Sequence, residues 1–252
     1  MSRDGVLGRV RAALAAARAQ DTARGAAAAP MELPALPAAQ ALADPVGLFV
    51  ERGRAVAATV EVCASVDDAA AQAAAWLAGR GAQRLAAWDD PEIWAVVAQL
   101  AARGFEVVAP GAPVEVVAQA DAGLTGAAWG IAESASLVLP ADRRRPRTFS
   151  LLPPLHVAVL RADRIVPDLA AWCARLAAEE QLGGAGRPGA GPPDAGPPGA
   201  GALSGAAAGG GAKLPSALAL VTGPSRSADI GLVPVQGAHG PMEVAVFVVP
   251  GP

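Results

Sequence analysis

The sequence predicts an α/β fold, in which a mostly parallel β-sheet is flanked by helices. Short apolar runs alternate with helical patterns from Gly53 onward, and this alternation is typical of parallel strands that are joined by crossover helices. Hydrophobic residues make up 53% of the chain and charged residues only 17%. These fractions suffice for a hydrophobic core and are not those of a disordered chain.

The individual elements follow from the local patterns. In the first half we expect strands at 56–64, 84–88 and 105–109 and helices at 66–80 and 92–103, the second helix beginning with Pro91 at a first helical position after Asp89 and Asp90. In the second half we expect strands at 127–132, 136–140, 156–160, 217–222 and 243–249, and a helix from 166 to about 180, with Leu169, Trp172, Cys173 and Leu176 on one face.

The chain divides into two parts in this interpretation. Residues 1–45 combine a short amphipathic N-terminal helix, with Val6, Val10 and Leu14 on its apolar face, and an Ala/Pro-rich connector. Residues 46–252 form the α/β domain. A Gly/Pro-rich insertion at 183–212 interrupts this domain, and we expect it to be disordered because it cannot bury enough apolar surface to offset its ordering entropy.

Composition excludes several classes of protein. The net charge of −3 excludes an overall basic nucleic-acid binder. Since no run of about 18 uncharged apolar residues is present, we expect no membrane span. Charges interrupt the first 20 residues, so we expect no signal peptide and a soluble, cytoplasmic protein. Cys63 and Cys173 cannot supply an iron–sulfur ligand set; we interpret both as small buried residues.

A hydroxyl-rich segment at 222–229 is the first candidate site. It follows a predicted strand and is expected to open a short helical turn, whose backbone N–H groups would favour a phosphate or a carboxylate. The alternative is a capped turn without a ligand. The candidate ligand-binding residues of the segment are Thr222, Gly223, Ser225, Arg226, Ser227 and Asp229.

Three further residues could carry chemistry. His156 begins an apolar strand and is either a structural histidine or a ligand contact, whereas His239 lies in a tight Gly-Ala-His-Gly-Pro turn. Neither has the spacing of a metal ligand, so no metal site is predicted. Glu133 lies between two apolar strands, where a carboxylate is costly unless it is paired or placed in a cleft. It is a candidate ligand contact or nucleophile, or an exposed turn residue.

The arginine-rich loop at 142–147 allows two interpretations. Arg143, Arg144, Arg145 and Arg147 form either a solvated loop or a docking patch for an acidic partner.

Four motifs together resemble the lactate-utilisation protein C family (LutC/YkgG, the LUD domain). They are Ala132-Glu133-Ser134-Ala135, Leu151-Leu152-Pro153-Pro154-Leu155-His156, Gly223-Pro224-Ser225-Arg226-Ser227-Ala228-Asp229-Ile230 and Gly237-Ala238-His239-Gly240-Pro241. Their order and spacing match the family pattern. Ser134 and Ser227 stand where the family has threonine. Ala135 stands where it has glycine, so a positive φ at this position would be strained.

The resemblance implies a fold similar to the sugar-phosphate isomerase and CoA-transferase-like α/β group. It also implies an accessory role in oxidising L-lactate to pyruvate, beside partner subunits that carry iron–sulfur clusters, while this chain carries no cofactor. Residues 222–229, His156 and His239 would then serve a small carboxylate or phosphate, with Glu133 and His239 as the candidate catalytic residues. Two alternatives stay open: an acyl- or CoA-handling enzyme that uses Glu133 as a nucleophile, and a scaffold that binds partners through the N-terminal helix and the 143–147 loop.

Overall fold

A computed structural model describes residues 12–13, 42–108, 111–181, 217–227 and 235–251. Ala12 and Ala13 are helical, and the rest of the expected N-terminal helix lies outside the described residues, as do nearly all of the connector and the whole 183–212 insertion. In the described part the helices are α1 (Pro45–Ala55), α2 (Val66–Ala78), α3 (Trp94–Ala102), α4 (Val114–Val117), α5 (Thr148–Leu151) and α6 (Leu169–Gln181).

The strands of the same residues form three sheets. They are β1 (Thr59–Val62), β2 (Arg84–Ala87), β3 (Glu106–Val108), β4 (Ala122–Ala127), β5 (Trp129–Ile131), β6 (Ser136–Ala141), β7 (Leu155–Arg161), β8 (Ile165–Val166), β9 (Ala217–Val221), β10 (Arg226–Ser227), β11 (Val235–Gln236) and β12 (Glu243–Val249).

The main sheet has the strand order β1-β12-β7-β4-β2-β3, and every neighbouring pair in it is parallel. All six strands therefore begin at one edge of the sheet, called the amino edge below, and end at the opposite carboxyl edge. β7 lies near the centre between β4 and β12. This arrangement confirms the predicted α/β class with a mostly parallel sheet.

A smaller four-stranded sheet has the order β8-β5-β6-β9. β5 and β6 form the predicted antiparallel hairpin, and β9 pairs antiparallel with β6. Helix α6 packs against this sheet through a small apolar cluster that includes Trp129, Ile131 and Trp172. β10 and β11 form a separate two-stranded ribbon.

Side-chain caps begin several of the described helices, among them α2 and α1. Ser65 caps α2 by accepting a hydrogen bond from the Asp68 N–H at 3.1 Å, and the buried face of this helix then packs on the main sheet. Asp44 caps α1 by accepting from the Gly47 N–H at 2.8 Å, with Pro45 at the first helical position. Helix α1 was not predicted from the sequence, and strand β1 begins three residues later than expected.

Two predicted helix starts are wrong. Pro91 lies in a turn and α3 begins at Trp94, because the Asp90 carboxylate accepts from the Glu92 N–H at 3.1 Å and closes a separate turn first. Helix α6 begins at Leu169, since Val166 belongs to β8. Leu169 is exposed, contrary to its expected place on the apolar face.

The remaining expectations of the element pattern mostly hold. Cys63 is buried, as predicted, whereas Cys173 is only partly buried. Strand β4 was not predicted, because its Ala-Gly-Leu-Thr-Gly-Ala sequence has a low strand propensity. None of the helices in the described ranges is long and apolar enough to cross a membrane.

Gly123 in β4 is required by a close backbone contact. A Cβ atom at this position would lie 1.7 Å from the carbonyl oxygen of Phe149 in α5. Helix α5 therefore lies with its backbone directly on the central part of the sheet. This contact places the segment that follows α5 at the amino edge, where β7 begins.

We predict that Gly123→Ala destabilises the domain by about 3 kcal/mol or more, because the added methyl group must displace the α5 backbone. Gly126→Ala, on the same strand, is the matched control: its Cβ would lie 3.3 Å from the nearest atom, Asp90 Oδ2, and should cost about 1 kcal/mol or less. Urea unfolding followed by circular dichroism measures both. Equal losses in the two variants would contradict the proposed contact.

Candidate functional site

A cleft of about 440 Å³ lies at the amino edge of the main sheet. One wall is the segment that enters β7, and the other is the segment that enters β12. Because β7 and β12 are adjacent parallel strands, the two entering segments lie side by side, and the Met242 N–H donates to the Pro154 carbonyl at 2.7 Å. The cleft is lined by Leu151, Leu152, Pro154, Gly237, Ala238, His239, Gly240 and Met242.

Ser225 fastens a third motif to this cleft. Its N–H donates to the Pro241 carbonyl at 2.8 Å, and its own carbonyl accepts from the Gly237 N–H at 3.0 Å. The Ser225 hydroxyl accepts from the His239 N–H at 3.3 Å. Three of the four sequence motifs therefore meet at one place, and these hydrogen bonds hold the loop that carries His239.

Backbone geometry requires glycine at position 223, two residues before Ser225. Gly223 has a φ of +72°, and a Cβ there would lie 3.0 Å from the Val56 carbonyl oxygen. Because of the positive φ and the close backbone neighbour, any residue other than glycine would be costly at this position. The turn that leads from β9 to Ser225 depends on it.

The lining of the cleft is mainly apolar. His239 is exposed and is the one ionisable side chain among the described residues that line the cleft. Leu151, Leu152 and Met242 are 41%, 42% and 47% exposed, so the rim offers a hydrophobic surface around a titratable imidazole. Among the described residues, no three His, Cys, Asp or Glu side chains are grouped so as to hold a metal ion.

The predicted helical turn at 222–229 is not formed as far as the structure describes the segment. Arg226 and Ser227 are extended in β10, where they pair antiparallel with Gln236 and Val235. A chain in this extended pairing does not present the run of free N–H groups found at a helix N-terminus. Arg226 is exposed, and Asp229 lies outside the described residues.

Glu133 lies in the turn between β5 and β6, away from the lining of the cleft. Both Glu133 and Ser134 are exposed, and the Glu133 N–H donates to the Pro167 carbonyl at 2.9 Å. A chain of hydroxyl groups runs from Ser134 through Ser136, at 2.8 Å, to Thr222. The turn is thus linked to the start of the 222–227 segment, and the placement of Glu133 fits the interpretation as an exposed turn residue.

Ala135 in the same turn has a φ of 51°. The strain expected where the family has glycine is therefore present. The Ala135 side chain is buried and lies beside Gly53 of α1. The methyl group thus gains packing contacts that partly offset the backbone cost.

His156 is fully buried in β7 and does not line the cleft. Its Nε2 lies 2.9 Å from the Thr125 hydroxyl on the neighbouring strand β4. Its Nδ1 has no hydrogen-bond partner within the described part of the chain. Burial lowers the pKa of His156 to about 4, so the ring is neutral at pH 7. This environment is that of a structural histidine.

The arginine-rich loop is half neutralised. Arg144 Nε donates to the Asp89 carboxylate at 2.8 Å, and this hydrogen bond is the largest cause of the lowered pKa of Asp89. Arg145 pairs with Asp142. The loop is thereby fastened to the segment after β2, and Arg143 and Arg147 are left exposed. The sequence pattern did not reveal the Arg144–Asp89 pair, because these two residues lie 55 positions apart.

The fold and the cleft define a class of protein: an α/β domain on a parallel sheet whose amino edge carries a cleft between two loops. The Ser225 motif holds one of these loops in place. Residues 46–186, more than half of the chain, match the family model of the LUD domain. The chain belongs to the LUD domain family. The matched residues include the Glu133 turn and the Leu151–His156 motif and end before Gly223.

Individual proteins show the same relationship. The chain is 31% identical over 136 residues to "Lactate utilization protein C" of Halalkalibacterium halodurans, covering 54% of this chain and 47% of that protein. It is 28% identical over 131 residues to "Uncharacterized protein YkgG" of Escherichia coli, covering 52% and 45%. The chain thus spans about half the length of these curated relatives.

A solved structure supports the fold. The crystal structure of a DUF162 family protein from Deinococcus radiodurans superposes with a TM-score of 0.51 at 22% identity, covering 81% of this chain and 96% of that one. The likeness to sugar-phosphate isomerases and CoA transferases stays a prediction.

We predict that Ala57→Gly stabilises the domain by about 0.5–1 kcal/mol, because Ala57 is exposed and has a φ of 64°, which glycine adopts without strain. Ala135→Gly should give a smaller gain, since it also removes a buried methyl group. Urea unfolding of the two variants gives the comparison. A destabilised Ala57→Gly variant would show that the left-handed backbone at Ala57 is not strained.

We also predict a loss of stability in acid that depends on His156. The unfolded histidine has a pKa of about 6.5, so below this pH the unfolded chain binds a proton that the folded chain rejects until about pH 4. The contribution of His156 is complete above pH 6.5 and is lost as the pH falls towards 4, by about 3 kcal/mol in total.

The measurement is the free energy of unfolding in urea at pH 7 and pH 4.5. His156→Gln is the comparison variant, because glutamine can still hydrogen-bond to Thr125 but has no ionisable group. It should lose about 2–3 kcal/mol less than the parent chain between the two pH values. An identical pH dependence in both proteins would mean that another group causes the acid sensitivity.

Proposed function

We propose that this chain acts in the utilisation of L-lactate, as a cluster-free subunit of a system that oxidises L-lactate to pyruvate together with iron–sulfur partner proteins. Membership of the LUD domain family and the names of the curated relatives support the lactate role. The observation that carries the proposal is the meeting of three motifs of the resemblance around one cleft.

The redox balance of the reaction is the reason for partner subunits. Oxidation of lactate to pyruvate releases two electrons and two protons, which an acceptor must take up. This chain has two cysteines in separate elements. Burial, followed by the charges of Asp68 and Glu61, raises the pKa of Cys63 to about 11, so its thiol is a poor metal ligand and a poor nucleophile. In this proposal the iron–sulfur clusters that take up the electrons are therefore carried by the partners.

The proposed ligand of the cleft is a small carboxylate such as lactate, with phosphate as the alternative anion. His239 supplies a hydrogen-bond donor, and Leu151 and Leu152 supply apolar surface for a methyl group. Arg226 directly follows Ser225, whose hydroxyl holds the His239 loop. Its guanidinium would add charge for a carboxylate.

A scaffold role is the second candidate, and the exposed Leu151, Leu152 and Met242 favour it. Exposed apolar side chains that lie together are typical of surfaces that a protein partner covers. In the scaffold role, the partner protein binds at the cleft. The 143–147 loop is less suited to an acidic partner, because Arg144 and Arg145 are already paired. The exposed position of Glu133 gives no support to the alternative of an acyl- or CoA-handling enzyme.

The test begins with the tagged chain purified from its native host grown on L-lactate. We expect co-purification of iron–sulfur proteins, with iron and acid-labile sulfide in the eluate and lactate-dependent dye reduction. A chain that is recovered alone and gives no dye reduction in the presence of lactate would contradict the proposed function.

Variants then separate the two roles of the cleft. If the cleft binds lactate, His239→Ala and Arg226→Ala should lower lactate-dependent dye reduction about tenfold or more while the partners still co-purify. If the cleft is a docking surface, Leu152→Glu and Met242→Glu should instead lose the partners. Arg52→Ala, an exposed arginine of α1, is the matched control and should change neither measurement.

A further inference from the structure

A second crevice, of about 450 Å³, lies at the carboxyl edge of the main sheet. Its walls come from the start of α2, the last residue of β7 and the end of β12. Open parallel α/β sheets commonly bind small ligands outside the carboxyl ends of their strands. The volume is also within the range of about 300–1,000 Å³ that is typical of small-molecule sites. The side chains that matter below are Val66, Glu92, Arg161, Val249 and Pro250.

Arg161 is hydrogen-bonded to Asp163 and still has donor capacity. Its Nε and Nη2 donate to the two carboxylate oxygens of Asp163 at 3.0 and 2.7 Å. A Cβ at Gly251 would lie 2.9 Å from Asp163 Cγ, so the end of β12 closes against this pair. Arg161 Nη1 lies 4.0 Å from Glu92 Oε1, which is beyond hydrogen-bond range. The Nη1 group can therefore donate to a ligand.

Glu92 is the complementary group. Its side chain is 22% exposed, and its carboxylate accepts no hydrogen bond from any residue in the described ranges. Burial, and next the charge of Asp90, raises the pKa of Glu92. Partial burial removes some of the hydration of this carboxyl group, and a ligand that donates to it would supply a hydrogen bond in place of the lost water.

We infer that the carboxyl-edge crevice is a binding site for a small carboxylic acid that carries a hydrogen-bond donor on its α-carbon. The ligand carboxylate accepts from Arg161 Nη1, the α-hydroxyl or α-ammonium group donates to Glu92, and the alkyl part lies against Val66, Val249 and Pro250. A carboxylate and its α-substituent are adjacent, so one small ligand can reach two groups that lie 4.0 Å apart. Hydroxy acids and amino acids share this chemistry.

This inference does not rest on the proposed function, because other residues at the other edge of the sheet carry it. The measurement is a titration of the full chain with L-lactate, L-alanine and propionate, followed by the backbone amide signals in NMR spectra. We expect shifts at Val66 and Gly251, which line the crevice. Shifts at Gly237 and Gly240 would report binding at the amino-edge cleft and are read separately.

The affinities identify the ligand class. L-lactate or L-alanine should bind about tenfold or more tightly than propionate, which lacks an α-donor. The tighter of the two shows whether the site takes hydroxy acids or amino acids. Equal affinity for propionate, or no shift at Val66 and Gly251, would overturn the inference. This result is independent of lactate-dependent dye reduction, which tests the proposed function.

Variants test the two charged groups. Arg161→Gln should raise the Kd of the tighter ligand about tenfold or more, and Glu92→Ala should abolish its preference over propionate. The matched controls are Arg54→Gln and Glu61→Ala, since Arg54 and Glu61 form a similar pair 3.7 Å apart that does not line the crevice. Equal weakening in the control variants would overturn the assignment of Arg161 and Glu92.

Discussion

The architecture of the amino edge depends on the contact between the α5 backbone and Gly123. Because a Cβ on β4 would collide with the Phe149 carbonyl, the helix can approach the sheet closely only at glycine. The chain then leaves α5 through Leu151–Pro154 and enters β7 directly. One wall of the cleft is thus positioned by the packing of a helix on a strand that contributes no side chain to the cleft itself. A loop held in this way by packed backbone is well placed to bind a ligand.

The parallel sheet explains why motifs that are distant in sequence meet. β7 and β12 are adjacent and run in the same direction, so the residues before each strand lie together although 88 positions separate Pro154 from Met242. The same rule brings Arg161, at the end of β7, to Val249, at the end of β12. If β12 ran antiparallel to β7, the residues that precede one strand would instead lie beside the residues that follow the other. Each edge therefore collects residues of one kind: apolar loops with His239 at the amino edge, and the Arg161–Glu92 pair at the carboxyl edge.

The sequence predicted best where local physics decides the structure. The alternation of apolar runs placed α2, β2 and the β5–β6 hairpin closely, because such patterning acts over a few residues. The Ser65 cap, seen in the structure, acts over the same short range. It failed at β4, whose small residues suit a strand only beneath α5, and at β10, where pairing with β11 overrides the turn chemistry of the Pro-Ser-Arg segment. The partners of β4 are far away in sequence, and Gln236 of β11 follows Arg226 by ten positions, so neither pairing is contained in the local pattern.

The candidate sites show the same division. Both histidines stand beside apolar residues in the sequence, yet His156 is fully buried and His239 lines a cleft. The reason is that His156 lies inside the central strand β7, whereas His239 lies in the loop that precedes β12 at the amino edge. The two sites also share β7 and β12 as their supports. A seven-residue strand is about 20 Å long, and substitutions farther apart than about 10 Å that share no partner act independently. Changes at His239 and at Arg161 should thus be separable in their effects, so failure of one assignment leaves the other standing.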